Sequence, residues 1–150
     1  MTMAKDNKTL HLVLKKLKNQ VLSREQMDNL KKLGVDTSDA SMCWIRYDAD
    51  GVVDDYVEIN DEMCYEMACA VPCPTYTIGD LIEKLPKIIG DYRLLIDWDS
   101  EIVYYQDWSG EEVLDHIGEY GFTDRPIIDA LCDCLCWVAQ NYKELLEVKK

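Results

Sequence analysis

The stretch from Asp124 to Leu146 (DRPIIDALCDCLCWVAQNYKELL) constrains the fold more than any other. On a helical wheel Ile127, Leu131, Cys134, Leu135, Val138, Tyr142 and Leu145 share one broad face. Cys132, Cys136 and Ala139 widen the apolar surface on one flank and Trp137 on the other. Only a strip through Asp129, Asp133, Gln140 and Glu144 is polar. A helix apolar around most of its circumference is buried on more than one side. Thr123 or Asp124 is placed to cap it, with Pro126 in the first turn, where no intrahelical donor is lost. The chain is therefore expected to build its core around this helix.

At 150 residues, with 48% apolar and 30% charged side chains, the chain fits one domain of ordinary globular composition. The longest uncharged run, Met67 to Gly79, holds two prolines and is too short to span a bilayer. Lysines interrupt every apolar cluster near the N-terminus, so no signal-peptide core is read there. The expectation is a soluble, cytoplasmic protein with reduced thiols. Net charge is −13, and it is unevenly spread. Residues 1–34 hold eight basic and three acidic side chains, a balance of +5, whereas residues 35–150 hold eight and 26, a balance of −18. Such asymmetry points to a charged partner or to self-association of opposite charges.

Leu10, Val13, Leu14, Leu17 and Val21 fall on one arc of a helix over about Asn7–Val21, with lysines opposite. Ser23-Arg-Glu-Gln26 is a capping box, predicting a second helix from Arg24 to Leu33 that stops at Gly34. The two make a basic helical hairpin. The lysine face lacks interleaved aromatics, and an acidic body repels phosphates, so direct nucleic-acid binding is not expected. Met42–Tyr47 and Val52–Ile59 alternate as strands around Asp48-Ala-Asp50-Gly51, a tight-turn signal. The same letters lack the remaining oxygen ligands of a calcium loop. Thr77 with Asp80 caps a short helix ended by Pro86, with Gly90 closing the segment. Tyr92–Trp98 and Glu101–Gln106 form a second hairpin around Asp99-Ser100. Ser109-Gly-Glu-Glu112 is read as another capping box, opening a helix through about Tyr120.

Seven cysteines invite a metal reading. Cys64, Cys69 and Cys73 are spaced by five and four, and Cys132 and Cys136 lie one turn apart. Buried thiols packing as small apolar groups is the preferred interpretation. A site from Cys69, Cys73, Cys132 and Cys136 is the alternative, because zinc takes four such ligands. No Cys-x-x-Cys occurs, which argues against thiol–disulfide catalysis. Only two histidines, His11 and His116, are present, and neither adjoins a nucleophile in a recognisable pattern. No phosphate loop, His-Glu-x-x-His or nucleophile elbow occurs, so no catalytic or cofactor-binding residue is assigned.

Three runs together carry a resemblance: Pro72-Cys-Pro-Thr-Tyr-Thr-Ile-Gly-Asp-Leu-Ile-Glu-Lys-Leu-Pro86, Tyr92-Arg-Leu-Leu-Ile-Asp-Trp98 with Ile102-Val-Tyr-Tyr105, and Phe122-Thr-Asp-Arg-Pro-Ile-Ile-Asp-Ala-Leu131. This half of the chain resembles a group of small uncharacterised proteins from phages and other mobile elements of gut bacteria. The resemblance rests on helix-opening and core positions. It implies an α+β fold and a mobile-element setting, and it carries no activity or site residues.

The expected architecture is a single α+β domain over 1–150, with a basic helical hairpin at 1–34 and an acidic body at 35–150. Two hairpins join in one small antiparallel sheet packed on the long C-terminal helix. The expected core is Leu10, Leu14, Leu17, Ile45, Val57, Leu81, Leu85, Leu94, Ile96, Trp98, Ile102, Ile127, Leu131, Cys134, Leu135 and Val138. The expected function is binding or regulation by protein–protein contact, with a basic nucleic-acid-binding protein as the partner the charge favours. No membrane partner is expected. The alternatives are a homodimer joining basic hairpin to acidic body, an enzyme with an unrecognised site, and a cysteine-ligated metal protein.

Overall fold

A computed structural model of the chain describes residues 19–49, 52–60, 72–111, 113–114, 122–123 and 126–147. Most of the first expected helix, with Leu10, Leu14 and Leu17, lies outside them, as do Cys64, Cys69, His11 and His116; its expected last residues are not helical, Asn19 and Gln20 forming a turn and Val21 bridging Thr77 as an extended residue. Helix α1 is Arg24–Lys32. Ser23 Oγ accepts from Gln26 N while Gln26 Oε1 accepts from Ser23 N, the expected reciprocal cap. At the other end Val35 N donates to Leu30 O and Gly34 N to Lys31 O, with Gly34 at φ +87°. This is a Schellman closure, and its left-handed residue is a glycine because a Cβ is strained there.

Strands β1 (Met42–Ala49) and β2 (Val52–Ile59) form the first hairpin, with Ala49 opposite Val52. The Asp50-Gly51 turn lies outside the described residues. A short strand β3 (Cys73–Thr75) adds to the free edge of β1, giving a three-stranded antiparallel sheet in the order β2-β1-β3. Helix α2 (Ile78–Lys84) opens on the Thr77–Asp80 capping box. It closes at Leu85, whose extended backbone is what a following proline demands. Strands β4 (Ile88–Ile89), β5 (Tyr92–Asp97), β6 (Ile102–Asp107) and β7 (Phe122–Thr123) then make a second antiparallel sheet in that order. The two hairpins thus belong to separate sheets, not to the single sheet expected. Each hairpin finds its own local edge partner, β3 for the first and β4 and β7 for the second.

Helix α3 (Ile127–Asn141) is the centre of the core, with Ile127, Ile128, Ala130, Leu131, Cys132, Cys134, Leu135, Trp137, Val138 and Ala139 buried. It packs on α2, β6 and β7, with α1 along one side. It is shorter than expected at both ends. Pro126 is the N-cap residue rather than a first-turn residue, and no side chain caps the helix there. At the C-terminus Tyr142 leaves helical geometry (φ −139°, ψ 42°), and a 3-10 turn, Lys143–Leu145, follows. Asn141 Nδ2 donates to Trp137 O, and the Tyr142 ring lies 5.4 Å from that of Trp137.

The strand phase of the second hairpin corrects two expected core positions. Leu94 faces Tyr105 and Ile96 faces Val103. Opposed residues share a face, so Val103 and Tyr105 are fully buried while Ile102 sits on the outer face. Trp98 is not the last strand residue: it stands in the turn, 54% exposed. There Asp97 Oδ1 accepts from Asp99 N and Ser100 N, an Asx turn that begins one residue early. The helix expected after Ser109 does not begin there. Asp107 Oδ1 accepts from Glu111 N, Gly110 takes φ +79°, and Val113 bridges Gln106 as an extended residue. A left-handed residue in what would be the first turn is incompatible with a helix. The rest of that segment, 115–121, lies outside the described residues.

A smaller apolar cluster joins Val21, Trp44 and Val57, with Met42 and Cys73 against it. Trp44 Nε1 and Thr75 Oγ1 both donate to Leu22 O, at 2.8 and 2.6 Å, tying the first sheet to the segment that leads into α1. Among the described residues no helix is long and apolar enough to cross a membrane.

Candidate functional site

Among the described residues a cleft of ≈ 810 Å³ lies between the loop after α1, helix α2 and the C-terminal 3-10 turn. Its lining includes five carboxylates, from Asp36, Asp39, Asp80, Glu83 and Glu147, and two lysines, Lys84 and Lys143. Each wall has a local cause. The Schellman closure at Gly34 throws the chain into the 35–40 loop, where Asp36 Oδ1 accepts from Ser38 N and fixes a turn. Fully buried Tyr76 floors the cleft. Its hydroxyl lies 2.7 Å from Asp39 Oδ1 and 2.9 Å from the Asp36 carbonyl oxygen, donating to this pair. Lys84 Nζ donates to the same two residues, at 2.8 Å to Asp39 Oδ2 and 2.9 Å to Asp36 O.

Asp80 does double duty. One carboxylate oxygen accepts from Thr77 N at 3.0 Å to cap α2, and from Ser41 N (3.1 Å) and Ser41 Oγ (2.6 Å) to anchor the approach to β1. Opposite, the Lys143 side chain lies across Gly34, where a Cβ would stand 2.2 Å from Nζ. Glu83 and Glu147 are exposed at the rim.

Burial, and then the hydrogen bond to Asp39, push the Tyr76 phenol far above its ordinary range, so it donates a hydrogen bond and does not act as a base. Among the described residues no cysteine or histidine lines the cleft. What it offers is a concentration of acceptors, carboxylate and carbonyl, suited to ammonium and guanidinium groups. Lys84 is already committed to Asp39 and the Asp36 carbonyl, which leaves Lys143 as the cation over Gly34.

The cysteines fall into separate environments. Cys73 is half-buried in β3, where burial pushes its thiol up and Arg24 and Lys31 of α1 oppose the shift. Cys132 and Cys136 are brought together on α3. The neighbouring thiol pushes the Cys132 thiol up and draws Cys136 down, with burial raising both. Between them Cys134 points into the core beside Tyr105, and burial pushes it up. Cys69 lies outside the described residues. Among the described residues no three His, Cys, Asp or Glu side chains converge as metal ligands.

A second charged cluster braces the fold. Asp55 accepts from Arg46 Nε (3.1 Å) and Nη2 (3.3 Å) and from Arg24 Nη2 (3.2 Å), joining β1, β2 and α1. Partial burial pushes the Asp55 carboxyl up, but the two guanidinium groups outweigh it and hold the group below the ordinary carboxylate range.

Sequence reading found the Thr77–Asp80 cap and the stop at Gly34 but not the cleft they frame. The acidic, turn-rich run Asp36–Ser41 was the available signal. Its partners, Tyr76, Lys84 and Lys143, are too distant in sequence for periodicity to pair them. No family model, curated protein or solved structure matches the chain.

Proposed function

We propose that the protein is an acidic binding or regulatory module, acting by protein–protein contact, that receives a basic segment of its partner in the cleft between the 35–40 loop, α2 and the C-terminal turn. The observation that carries this reading is the cleft wall: five carboxylates line it, and one of its two lysines is already bound to an acid of the same wall. Complementary charge speeds encounter and selects partners, and guanidinium and ammonium groups pair well with clustered carboxylates. The −18 balance of residues 35–150 extends the same field beyond the cleft. A basic nucleic-acid-binding protein fits such a surface, with the carboxylates taking the place of phosphates. A mobile-element setting is part of the same proposal.

The test uses affinity capture from host lysate with the full chain and with a Glu83→Lys, Glu147→Lys double variant, each at low and high salt. Both glutamates are exposed, so the fold tolerates their reversal. The expected result is a basic protein held by the wild-type chain and released as ionic strength rises. The double variant should bind it at least about tenfold more weakly, a difference of ~1.4 kcal/mol. A partner held equally by both chains, or indifferent to salt, overturns the proposal.

A further inference from the structure

The second sheet turns one face to α3, and its opposite face carries a pattern of its own. Leu94, Ile96, Val103 and Tyr105 belong to the core side, with Val103 and Tyr105 fully buried. Alternation then puts Arg93, Leu95 and Asp97 of β5 on the outer face, opposite Gln106, Tyr104 and Ile102 of β6. Leu95, Ile102 and Tyr104 are half-exposed, and Ile88, opposite Arg93 on β4, is 52% exposed. Trp108 stands at one end of this strip, 62% exposed, with the Arg93 guanidinium 5.0 Å from its ring centroid. Asp97 stands at the other end, where its Oδ1 holds the Asx turn and its Oδ2 is left to an outside donor. The two charges are placed symmetrically: Arg93 comes two residues before Leu95 and Asp97 two after, with Tyr104 beside Leu95 at the centre. A two-fold axis lying in this face and crossing the strands at Leu95 and Tyr104 sets a second copy antiparallel on the first. Leu95 and Tyr104 then meet their own counterparts, and each Arg93 meets the partner's Asp97. Stacked sheets lie about 10 Å apart, a gap that facing Arg and Asp side chains span.

We propose that this outer face is the contact of a homodimer, in which two copies pack face to face and antiparallel and each Arg93 pairs with the partner's Asp97. A second copy is the occupant because the strip complements itself. A wholly basic or wholly acidic surface laid on it would set one of its two charges against its like. The apolar centre supplies the attraction, since Leu95, Ile102 and Tyr104 leave water together, and the paired charges fix the antiparallel orientation. A face two strands wide is smaller than a standard interface, so the dimer is weak and reversible. It uses no residue of the cleft and none of the lysines of residues 1–34, so it stands or falls independently of the binding role above.

The experiment is sedimentation velocity on the reduced, full-length chain at physiological ionic strength, across the micromolar range and above it. The wild-type chain is expected to form a dimer whose share rises with concentration. Arg93→Asp and Asp97→Arg each set like charges together in both pairs, so each alone should dimerise at least about tenfold more weakly. Mixed in equal amounts, the two variants should recover near wild-type association, because both pairs of the mixed dimer are again opposite in sign. Contact through the cleft or the N-terminal lysines predicts no such recovery. Asp97→Arg also removes the acceptor of the turn, so circular dichroism checks both folds first. Tyr104→Glu leaves the turn alone, places two acids together on the axis, and should abolish the dimer. A wild-type chain monomeric at every concentration, single variants that associate as the wild type does, no recovery on mixing two folded variants, or a dimer retained by Tyr104→Glu would each overturn the proposal.

Discussion

Asp55 is the residue whose environment makes the most specific demand. It is held by Arg46 along the first hairpin and by Arg24 from α1, and its carboxyl is lowered in the folded protein. A carboxyl depressed on folding contributes stability above its unfolded pKa, and that contribution fades as pH falls through the folded value. The window therefore lies at and below about pH 4, the ordinary aspartate range. The cluster is partly exposed, so Asp55→Asn is expected to cost about 1 kcal/mol at pH 7. In urea unfolding the gap between wild type and variant should narrow towards pH 3. Comparing the two chains matters because the net charge of −13 has a pH dependence of its own, which the difference removes. A gap that persists unchanged at pH 3 would show that Asp55 acts by packing rather than by charge.

At the scale of elements, helix ends decide more than helix middles, and two glycines give opposite predictions. Gly34 closes α1 at φ +87°, and its missing Cβ leaves room for Lys143. Gly34→Ala forces a left-handed alanine and displaces that lysine, a loss of about 1 kcal/mol. Gly79 lies inside α2, and a Cβ added there would meet nothing nearer than 3.6 Å, so Gly79→Ala should stabilise by about 0.5–1 kcal/mol. Thermal melts should move about 2–4 °C down and up respectively for a chain of this size. Equal shifts would refute the conformational account. The legible parts of the chain are local in the same way. The boxes at Ser23 and Thr77, the stop at Gly34 and both hairpins are written within a few residues of where they act. The Ser109 box has the same pattern but opens no helix there, because Asp107 and a left-handed Gly110 capture the turn first. Strand β3 escaped notice because three residues around Pro74 carry no alternation, and its pairing with β1 is fixed only by tertiary contact. The cleft was illegible for that reason too: Tyr76 and Lys84 reach the 36–39 loop across more than 35 residues.

For the whole molecule, the charge of the sequence changes sign near residue 34, while the packing of the described residues runs across that point. Leu22, Met27 and Leu30 are fully buried and belong to the same core as α3. Gln26 Nε2 donates to Asp129 Oδ1 at 2.8 Å, Arg24 pairs with Asp55, and Leu22 O receives both Trp44 and Thr75. Losing three such side chains costs roughly 2–5 kcal/mol each, against a total stability of about 5–15 kcal/mol for a domain. A chain of residues 35–150 is therefore expected not to fold. One of residues 19–150 keeps every contact just named and should unfold cooperatively in urea with native-like circular dichroism. The homodimer alternative must be tested on that longer chain, because a shorter one confuses lost association with lost structure. It still lacks Lys5, Lys8, Lys15, Lys16 and Lys18, which hold most of the positive charge of residues 1–34. If those lysines joined two copies through the acidic cleft, light scattering would give a salt-sensitive dimer for the full chain and a monomer for residues 19–150. A folded 35–150 chain would overturn the packing argument, and a full-length monomer at low salt would leave the cleft to a partner other than itself.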